Sequence, residues 1–592
     1  MKAIEPFPNL VTMFFARARA MGDAPFLWRK KAGQWQSLSW TEVAHDVASL
    51  ASALQAQGLK PGDPVMLVSE NRPEFCIADL AIMAAGCVTV PTYTTNTTRD
   101  HQHILTDSGA RAVIVSTAKL AQNLMPAVLR SQASFVIGME PLRGTQGHVA
   151  CHLWTDLIAR YPTDLEACAA SQTAKREDLA CIIYTSGTGG APRGVMQHHG
   201  SILCNIEGAG RLVEEDFGWD EEVFLSFLPL SHAYEHSGGQ FLPIMLAGQI
   251  YYAEGLEKLA SNIEETRPTI MVVVPRLFEV LRTRIIKQIE KQGKFPAYLL
   301  GQALRIAAKE QDGRKSLLDL PMKALLARTL RPKIAARFGG RMKALVSGGA
   351  PLNPDVGLFF KAMGLTLLQG YGQTEAGPVV SCNRPRAGIA MDTVGPPLDG
   401  VEIRIAEDGE ILVRGELVMH GYWRNPAETE KALQNGWLHT GDIGEIDARG
   451  RIRITDRKKD LIVNDKGDNV SPQKVEGMLT LQPEIGQAMV YGDRRPHLVG
   501  LLVPDAEWTR EWAEAQGRAV EGIESDPAYQ AALRAAVDRV NDDLSVIERV
   551  RRFILADEPF TIDNSEMTPS MKIRRHVIRA RYQERLDALY KA

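Results

Sequence analysis

The 592-residue chain is poor in cysteine and has none of the cysteine spacings that mark particular protein classes. Its seven cysteines are scattered and never form a Cys-x-x-Cys pair, which disfavours both a zinc site and a disulfide framework. The N-terminal segment also lacks the order of a secretory signal, because its arginines follow the short apolar stretch instead of preceding it. We therefore expect a cytoplasmic protein.

Long apolar runs and an excess of one charge sign are missing as well. The most apolar window, residues 75–90, is interrupted by Asp79 and Gly86, and it is shorter than the ~20 apolar residues that a membrane-spanning helix needs. Lys and Arg number 68 against 71 Asp and Glu, so no global field attracts nucleic acid. The composition, 45% hydrophobic and 23% charged, is that of a folded protein of several domains.

Strand and helix patterns alternate through the first 350 residues, which predicts layered α/β structure. The helical pattern of residues 41–57 is predicted to begin at a Thr41 cap, and residues 75–90 are predicted to be a buried helix that runs into a strand. From residue 401 the pattern changes to short runs joined by Gly-containing turns, which is typical of antiparallel hairpins. The charged stretch 456–460 then separates a predicted α+β region from the rest of the chain.

One region has a strong local charge. Residues 281–343 contain sixteen Lys or Arg and four acidic residues, a net charge of +12. Two interpretations stay open: a set of solvated helix faces, or a surface that contacts anionic lipid or a phosphorylated ligand.

The most distinctive motif is the segment 184–194, YTSGTGGAPRG, which directly follows an apolar strand pattern. Small residues let backbone amides approach phosphate oxygens, while hydroxyl groups and Arg193 supply further donors. The segment is not a Walker sequence, because Val195 stands where a lysine is required, and Pro192 excludes a dinucleotide fingerprint. It indicates a polyphosphate loop, although such a composition alone also suits an ordinary turn.

Further motifs follow in the second half of the chain. In residues 369–377, QGYGQTEAG, an aromatic ring among glycines can stack on a base, and Thr374 and Glu375 offer oxygen ligands suited to Mg²⁺. Residues 347–351, SGGAP, precede this motif. In residues 439–442, HTGD, Asp442 could accept hydrogen bonds from two ribose hydroxyls or could simply form an Asx turn.

Together with DRKKD at 456–460 and TPSMK at 568–572, these motifs occur in one order, and in this the chain resembles the adenylate-forming superfamily of acyl-CoA synthetases, luciferases and peptide-synthetase adenylation domains. Within it, residues 228–235 and 274–279, the basic helical region and the helical material of 507–544 resemble long-chain fatty acid:CoA ligases. Two departures affect the phosphate loop, since Gly189 replaces the family's second threonine and Arg193 replaces its lysine.

The resemblance implies a fold and a reaction. The implied fold is α/β, with a large N-terminal domain over 1–455 of layered α/β subdomains and a β-rich subdomain at about 395–455, followed by a small mobile α+β domain over 456–592. The implied reaction uses ATP, Mg²⁺ and coenzyme A to activate a fatty acid, first to an acyl-adenylate and then to a thioester. No nucleic acid partner is implied, and contact with an anionic membrane surface stays an expectation from the basic region.

The resemblance also implies roles for individual residues. Phosphate would be cradled by Thr185, Ser186, Gly187, Thr188, Gly189 and Arg193. The adenine would lie among Gly348, Gly349, Ala350, Gln369, Gly370, Tyr371, Gly372 and Thr374. Thr185 and Glu375 would bind Mg²⁺, and Asp442 and Arg457 would hold the ribose. Lys572 would bridge the substrate carboxylate and the α-phosphate, His232 would close the carboxylate site, and Lys459 would be the hinge.

Other functions remain open at this point. A fatty acyl-AMP ligase would pass its adenylate to a carrier protein, and a CoA ligase could act on a shorter or aryl acid. An ATP-binding regulatory module is disfavoured by Lys572, because regulation by binding requires no cation at the reacting carboxylate.

Overall fold

A computed structural model describes residues 4–142, 147, 149–185, 192–311, 314, 316–458, 461–466, 468–568 and 573–591. The predicted site residues that lie outside the described residues are Ser186, Gly187, Thr188, Gly189, Lys459 and Lys572. The described chain divides into two compact units, of which the smaller contains Gly441–Glu445 and the residues from Ile454 onward. The predicted domain boundary at 455/456 stays a prediction.

The strands up to residue 457 are β1 Pro25–Lys31, β2 Gln34–Ser39, β3 Pro64–Val68, β4 Val88–Thr92, β5 Ala112–Val115, β6 Phe135–Gly138, β7 Ala150–Leu153, β8 Leu179–Thr185, β9 Arg193–His198, β10 Val223–Ser226, β11 Gln249–Tyr252, β12 Ile270–Val273, β13 Ala344–Ser347, β14 Leu367–Gly372, β15 Val379–Cys382, β16 Glu402–Ile405, β17 Glu410–Arg414, β18 Leu433–Gln434, β19 Trp437–Ile446 and β20 Ile452–Arg457.

The α-helices of the larger unit are α1 Leu10–Met21, α2 Trp40–Ala56, α3 Pro73–Ala84, α4 Thr98–Ser108, α5 Ala118–Val128, α6 Trp154–Arg160, α7 Leu165–Ala170, α8 His199–Phe217, α9 Ala233–Glu235, α10 Leu242–Met245, α11 Leu259–Thr266, α12 Pro275–Lys291, α13 Lys294–Gln311, α14 Leu320–Arg328, α15 Leu330–Arg337, α16 Pro354–Ala362 and α17 Pro426–Ala432. A π-helix, His236–Phe241, joins α9 to α10, and short 3₁₀ helices span Leu317–Asp319, Thr374–Ala376 and Pro385–Ala387.

Two mixed sheets form the centre of the larger unit. The seven-stranded sheet has the order β7-β6-β5-β3-β4-β8-β9, and the eight-stranded sheet has the order β15-β14-β13-β12-β10-β11-β1-β2. Strands β3, β4, β5 and β6 are buried along their whole length, as continuous apolar runs in parallel sheets require. The predicted α/β class is confirmed.

Helix α3 shows how closely the apolar pattern predicted burial. All its residues except Glu74 are buried, and strand β4 follows it, so the prediction of a buried helix leading into a strand is confirmed. The predicted cap of α2 at Thr41 was wrong. Ser39 caps this helix through a capping box, in which its hydroxyl accepts from the Glu42 amide while the Glu42 carboxylate accepts from the Ser39 amide.

The later part of the chain is organised around hairpins and a separate small core. Strands β16-β17-β19-β18 form an antiparallel sheet to which β20 adds beside β19. The smaller unit continues with β21 Ile462–Val463, β22 Asn469–Val470, α18 Pro472–Leu479, β23 Ile485–Tyr491, β24 Leu498–Pro504, α19 Ala506–Ala515, the 3₁₀ helix Ile523–Ser525, α20 Pro527–Asp542, β25 Val550–Leu555 and α21 Arg575–Ala588. Among the described helices, none is long and apolar enough to cross a lipid bilayer.

Candidate active site

The parallel strands β13 and β14 bring two of the predicted motifs to one edge of the eight-stranded sheet. Ser347 is paired in register with Gln369. Of the predicted adenine residues, 348–350 follow β13 and 369–372 lie within β14. The hydroxyl oxygen of Ser347, Oε1 of Gln369 and Nε2 of Gln373 are buried and have no hydrogen-bond partner among the residues that the structure describes. Because buried polar atoms are almost always paired, this edge is suited to a polar ligand such as a nucleotide.

The glycines after β13 are required by their surroundings. A Cβ atom on Gly348 would lie 2.7 Å from Cζ of Tyr234, whose hydroxyl donates to the Val346 carbonyl at 2.9 Å. The next residue, Gly349, has a φ of +82°, which favours glycine. Tyr234 therefore packs directly against the loop that was predicted to receive the adenine.

The predicted metal ligand Glu375 lies in the 3₁₀ helix after β14 and is oriented by a residue that the sequence motifs did not mark. The hydroxyl of Tyr422 donates to Oε1 of Glu375 at 2.8 Å. Burial and the neighbouring Glu375 charge raise the pKa of Tyr422, so this hydroxyl keeps its proton. The Gln197 amide donates to the Thr374 carbonyl at 2.7 Å and so connects β9 to the same helix.

The residues that flank the predicted phosphate loop meet across a strand pair. Thr185, the last residue of β8, lies opposite Arg193, the first residue of β9. The Arg193 guanidinium is 2.6 Å from a carboxylate oxygen of Glu428 and 4.5 Å from the centre of the Tyr422 ring. Tyr422 thus contacts both Arg193 and Glu375, whose motifs are far apart in the sequence.

The donor set fits Mg²⁺. This ion usually takes one or two protein oxygens and completes its shell with phosphate oxygens and water, so a threonine hydroxyl and one carboxylate are an appropriate set. Within the described residues, no group of three or more His, Cys, Asp and Glu side chains could hold a metal ion. Thr185 and Glu375 would therefore act together with a bound polyphosphate.

His232 stands at the start of α9, where its Nδ1 accepts from the Tyr234 amide at 3.2 Å. Behind it, the π-helix is attached to α3 through Asp79, which pairs with His236 at 2.9 Å and accepts from Gln240 at 2.7 Å. From the same π-helix, Ser237 donates to the carbonyl of Gly377, just beyond Glu375. The sequence patterns missed this buried arrangement because Asp79 lies in an apolar run and its partners are more than 150 residues away in the sequence.

The smaller unit contains the predicted ribose residues, and they contact each other. Asp442 is 3% exposed, and its carboxylate lies 2.9 Å from Nε of Arg457. The backbone amide of Lys458 donates to the Gly441 carbonyl at 2.8 Å, which joins the same two segments. The pair therefore forms one local unit although fifteen residues separate its members.

Comparison with known proteins shows the family. The AMP-binding enzyme family model matches residues 14–423, and the model of the AMP-binding enzyme C-terminal domain matches residues 459–592. The chain belongs to the AMP-binding enzyme family.

Particular relatives and structures extend the comparison. Long-chain-fatty-acid--CoA ligase FadD15 of Mycobacterium tuberculosis is 32% identical, with 98% of this chain and 97% of that protein covered. Long-chain-fatty-acid--CoA ligase 6 of Mus musculus is 30% identical, with 98% and 88% covered. Among solved structures, the A domain of carboxylic acid reductase from Segniliparus rugosus, in complex with AMP and a co-purified carboxylic acid, has a TM-score of 0.77 at 21% identity, with 99% and 94% covered. The anthranilate CoA ligase AuaEII in complex with anthranoyl-AMP has a TM-score of 0.72 at 20% identity, with 97% and 98% covered.

Proposed function

We propose that the protein is an AMP-forming long-chain fatty acid:CoA ligase that uses ATP, Mg²⁺ and coenzyme A. The observation that carries the proposal is the similarity to FadD15, which extends over 98% of the chain and so includes both matched family regions. The unpaired polar atoms at the ends of β13 and β14 support a nucleotide site in the larger unit.

In the first half-reaction, the fatty acid carboxylate attacks the α-phosphorus of ATP, and pyrophosphate leaves. A carboxylate is already a nucleophile at neutral pH, so the protein has to supply position and positive charge and needs no general base. When bound, Mg²⁺ would neutralise part of the negative charge of the phosphates. We assign its ligation to Thr185 and Glu375, and Tyr422 keeps the Glu375 carboxylate in one orientation through their hydrogen bond.

The remaining roles follow the resemblance and the local contacts. Residues 185–189 and Arg193 cradle the phosphates, and Arg193 is positioned for this by Glu428 and Tyr422. The adenine lies against Tyr371 and the loop of residues 348–350. The proposed adenine-binding residues are Gly348, Gly349, Ala350, Gln369, Gly370, Tyr371, Gly372 and Thr374. Asp442 and Arg457 hold the ribose, and their ion pair orients the carboxylate for hydroxyl donors.

The last proposed site residues are two lysines and one histidine. Lys572 bridges the carboxylate and the α-phosphate during adenylation, and His232 closes the carboxylate site. In the second half-reaction, the coenzyme A thiol displaces AMP. We propose that a domain of residues 456–592 turns about Lys459 between the two steps.

The proposed location is the cytoplasm, with reversible contact at an anionic membrane surface. All seven cysteines, each in the described part of the chain, are free thiols, which suits a reducing compartment. The membrane contact is supported by the net charge of +12 over residues 281–343.

The test is product analysis by mass spectrometry, with a mixture of fatty acids of different chain length, ATP, Mg²⁺ and coenzyme A. We expect long-chain acyl-CoA, AMP and pyrophosphate in equal amounts. Acyl-adenylate that accumulates without reacting with coenzyme A would identify a fatty acyl-AMP ligase instead. Thioesters of short or aryl acids alone would overturn the proposed substrate class.

A further inference from the structure

The 3₁₀ turn directly before α14 has an inverted polarity. Leu317 is 83% exposed, Leu318 is 90% exposed and Leu320 is 53% exposed, whereas Asp319 between them is 6% exposed. We call Leu317, Leu318 and Leu320 the apolar tip. A turn at a protein surface ordinarily buries its leucines and exposes its aspartate, because exposed apolar area has an unfavourable free energy in water.

Polar contacts hold the apolar tip in this inverted arrangement. The Asp319 carboxylate lies 3.1 Å from Nη2 of Arg305 and 3.8 Å from Nζ of Lys309, and both cations come from α13. Ser316 caps the 3₁₀ turn by accepting from the amide of Leu318. Turning the leucines inward would expose Asp319 and break its contacts with these two half-exposed cations. The leucines are therefore held outward by the fold.

The sequence around the tip is rich in exposed apolar residues and in cations. Of the twelve large apolar side chains that are exposed in the described part of the chain, six lie within residues 295–325. The described cations near the tip in sequence include Lys309, Arg314 and Lys323, of which Lys323 pairs with Glu310 at 2.5 Å and Lys309 lies 3.8 Å from Asp319. Sixteen cations against four acids over residues 281–343 make this region unsuited to a second copy of itself, which would carry the same charge.

We propose that the apolar tip is a membrane-docking element whose leucines enter the interface of an anionic phospholipid bilayer while neighbouring cations contact the headgroups. The proposal rests on the proposed function, because a long-chain acid partitions into membranes and an enzyme that docks there meets its substrate. Segments that bind at the membrane–water interface commonly combine leucine side chains with lysine or arginine side chains.

This docking predicts two separable contributions to vesicle binding. The attraction of cations to anionic lipid is screened by salt, whereas the transfer of leucine side chains out of water is not. Binding should therefore weaken as salt rises but keep a salt-resistant remainder that depends on the apolar tip.

The experiment is cosedimentation of the full chain with phosphatidylcholine vesicles, with and without phosphatidylglycerol, over a salt series. The test variant carries Leu317→Ser and Leu318→Ser, and the matched control carries Leu256→Ser, which removes a leucine of 65% exposure elsewhere in the larger unit. We expect binding to anionic vesicles to fall about tenfold in the double variant, with the salt-resistant remainder lost. The control should bind as the parent does.

Ligase activity on a short, freely dissolved fatty acid separates this inference from the proposed function. The double variant should keep that activity, since the apolar tip does not include any proposed site residue. Equal binding by parent and double variant, or no binding by the parent at low salt, would overturn the docking inference while the activity assay still reports on the ligase. Self-association of the parent that the double variant abolishes would also overturn it, because the occupant would then be a second copy.

Discussion

The edge of the eight-stranded sheet at Ser347 and Gln369 contrasts with the apolar tip in the groups that each region leaves unpaired. We call this sheet edge the nucleotide edge, after the ligand proposed for it. At the edge, polar atoms of Ser347 and Gln369 are buried without partners among the described residues. At the tip, Leu317 and Leu318 are exposed while the polar Asp319 is buried and paired. Each arrangement is locally unfavourable for the protein alone, and each would be relieved by a ligand of matching character: a polar nucleotide in one region and a lipid surface in the other.

The comparison also shows that different signals identify the two regions. The edge is recognisable from the order of motifs in the sequence. The tip has no motif, and its significance comes from the exposure of leucines that would ordinarily be assigned to a core. Four predictions probe the site region, in order of decreasing expected effect, and the vesicle experiment above probes the tip.

The largest effect is expected for Lys572→Ala. Loss of the cation that meets the carboxylate and α-phosphate should lower adenylate formation by roughly a hundredfold or more, because preorganised charge is a main source of catalysis. Thioester formation from preformed acyl-adenylate should be nearly unchanged. Pyrophosphate exchange measures the first step, and Arg574→Ala, which removes a neighbouring half-buried cation, is the control. Equal damage to both half-reactions would assign Lys572 a structural role.

Glu375→Ala should shift the Mg²⁺ dependence of adenylation, because a hard carboxylate ligand is lost. We expect the Mg²⁺ midpoint to rise by about tenfold, and by a smaller factor for Tyr422→Phe, which removes only the hydrogen bond to Glu375. The affinity for fatty acid should change little in either variant. An unchanged Mg²⁺ midpoint in Glu375→Ala would show that Glu375 is not a ligand of the metal ion.

Gly348→Ala tests the close contact at the nucleotide edge. The new Cβ would lie 2.7 Å from the Tyr234 ring, so the loop and ring must separate at a cost of about 1–3 kcal/mol. We expect KM for ATP to rise severalfold while the melting temperature falls slightly. Gly301→Ala in α13 is the matched control, because nothing lies within 4 Å of its Cβ position. An unchanged KM for ATP in Gly348→Ala would show that this loop does not contact the nucleotide.

The smallest effect on activity is expected for Glu235, whose prediction concerns the pH dependence of stability. Burial raises the pKa of Glu235 from its ordinary value of 4.5 to about 8, so the folded protein holds a proton that the unfolded chain releases. Its contribution to stability is complete below pH 4.5 and is lost as pH rises through about 8, with a slope of at most ~1.4 kcal/mol per pH unit. Glu235→Gln should remove this slope.

Denaturant unfolding of parent and Glu235→Gln at several pH values between 5 and 8 measures the difference. The free energy of unfolding of the parent should fall relative to that of Glu235→Gln as pH rises, because only the parent loses stability through this group. Parallel pH profiles would show that Glu235 is ionised in the folded protein.

Much of the fold could be predicted because apolar runs in parallel sheets are explicit in the sequence. Helix α3 with strand β4 forms the predicted buried helix and strand. The start of α2 was misplaced because two hydroxyl residues, Ser39 and Thr41, both suit a cap, and the decision depends on the reciprocal bond with Glu42.

The sequence by itself determined the motif order, the family and the residue types offered to phosphate, base and metal, because these depend on local composition and spacing. The tertiary structure decided which distant side chains support them: Tyr422 at Glu375, Glu428 at Arg193 and Tyr234 against Gly348. It also decided that Asp319 is buried and its neighbouring leucines are exposed, since Arg305 and Lys309 reach that carboxylate only after α13 has folded. Such contacts depend on where the chain returns in space, which local sequence patterns do not encode.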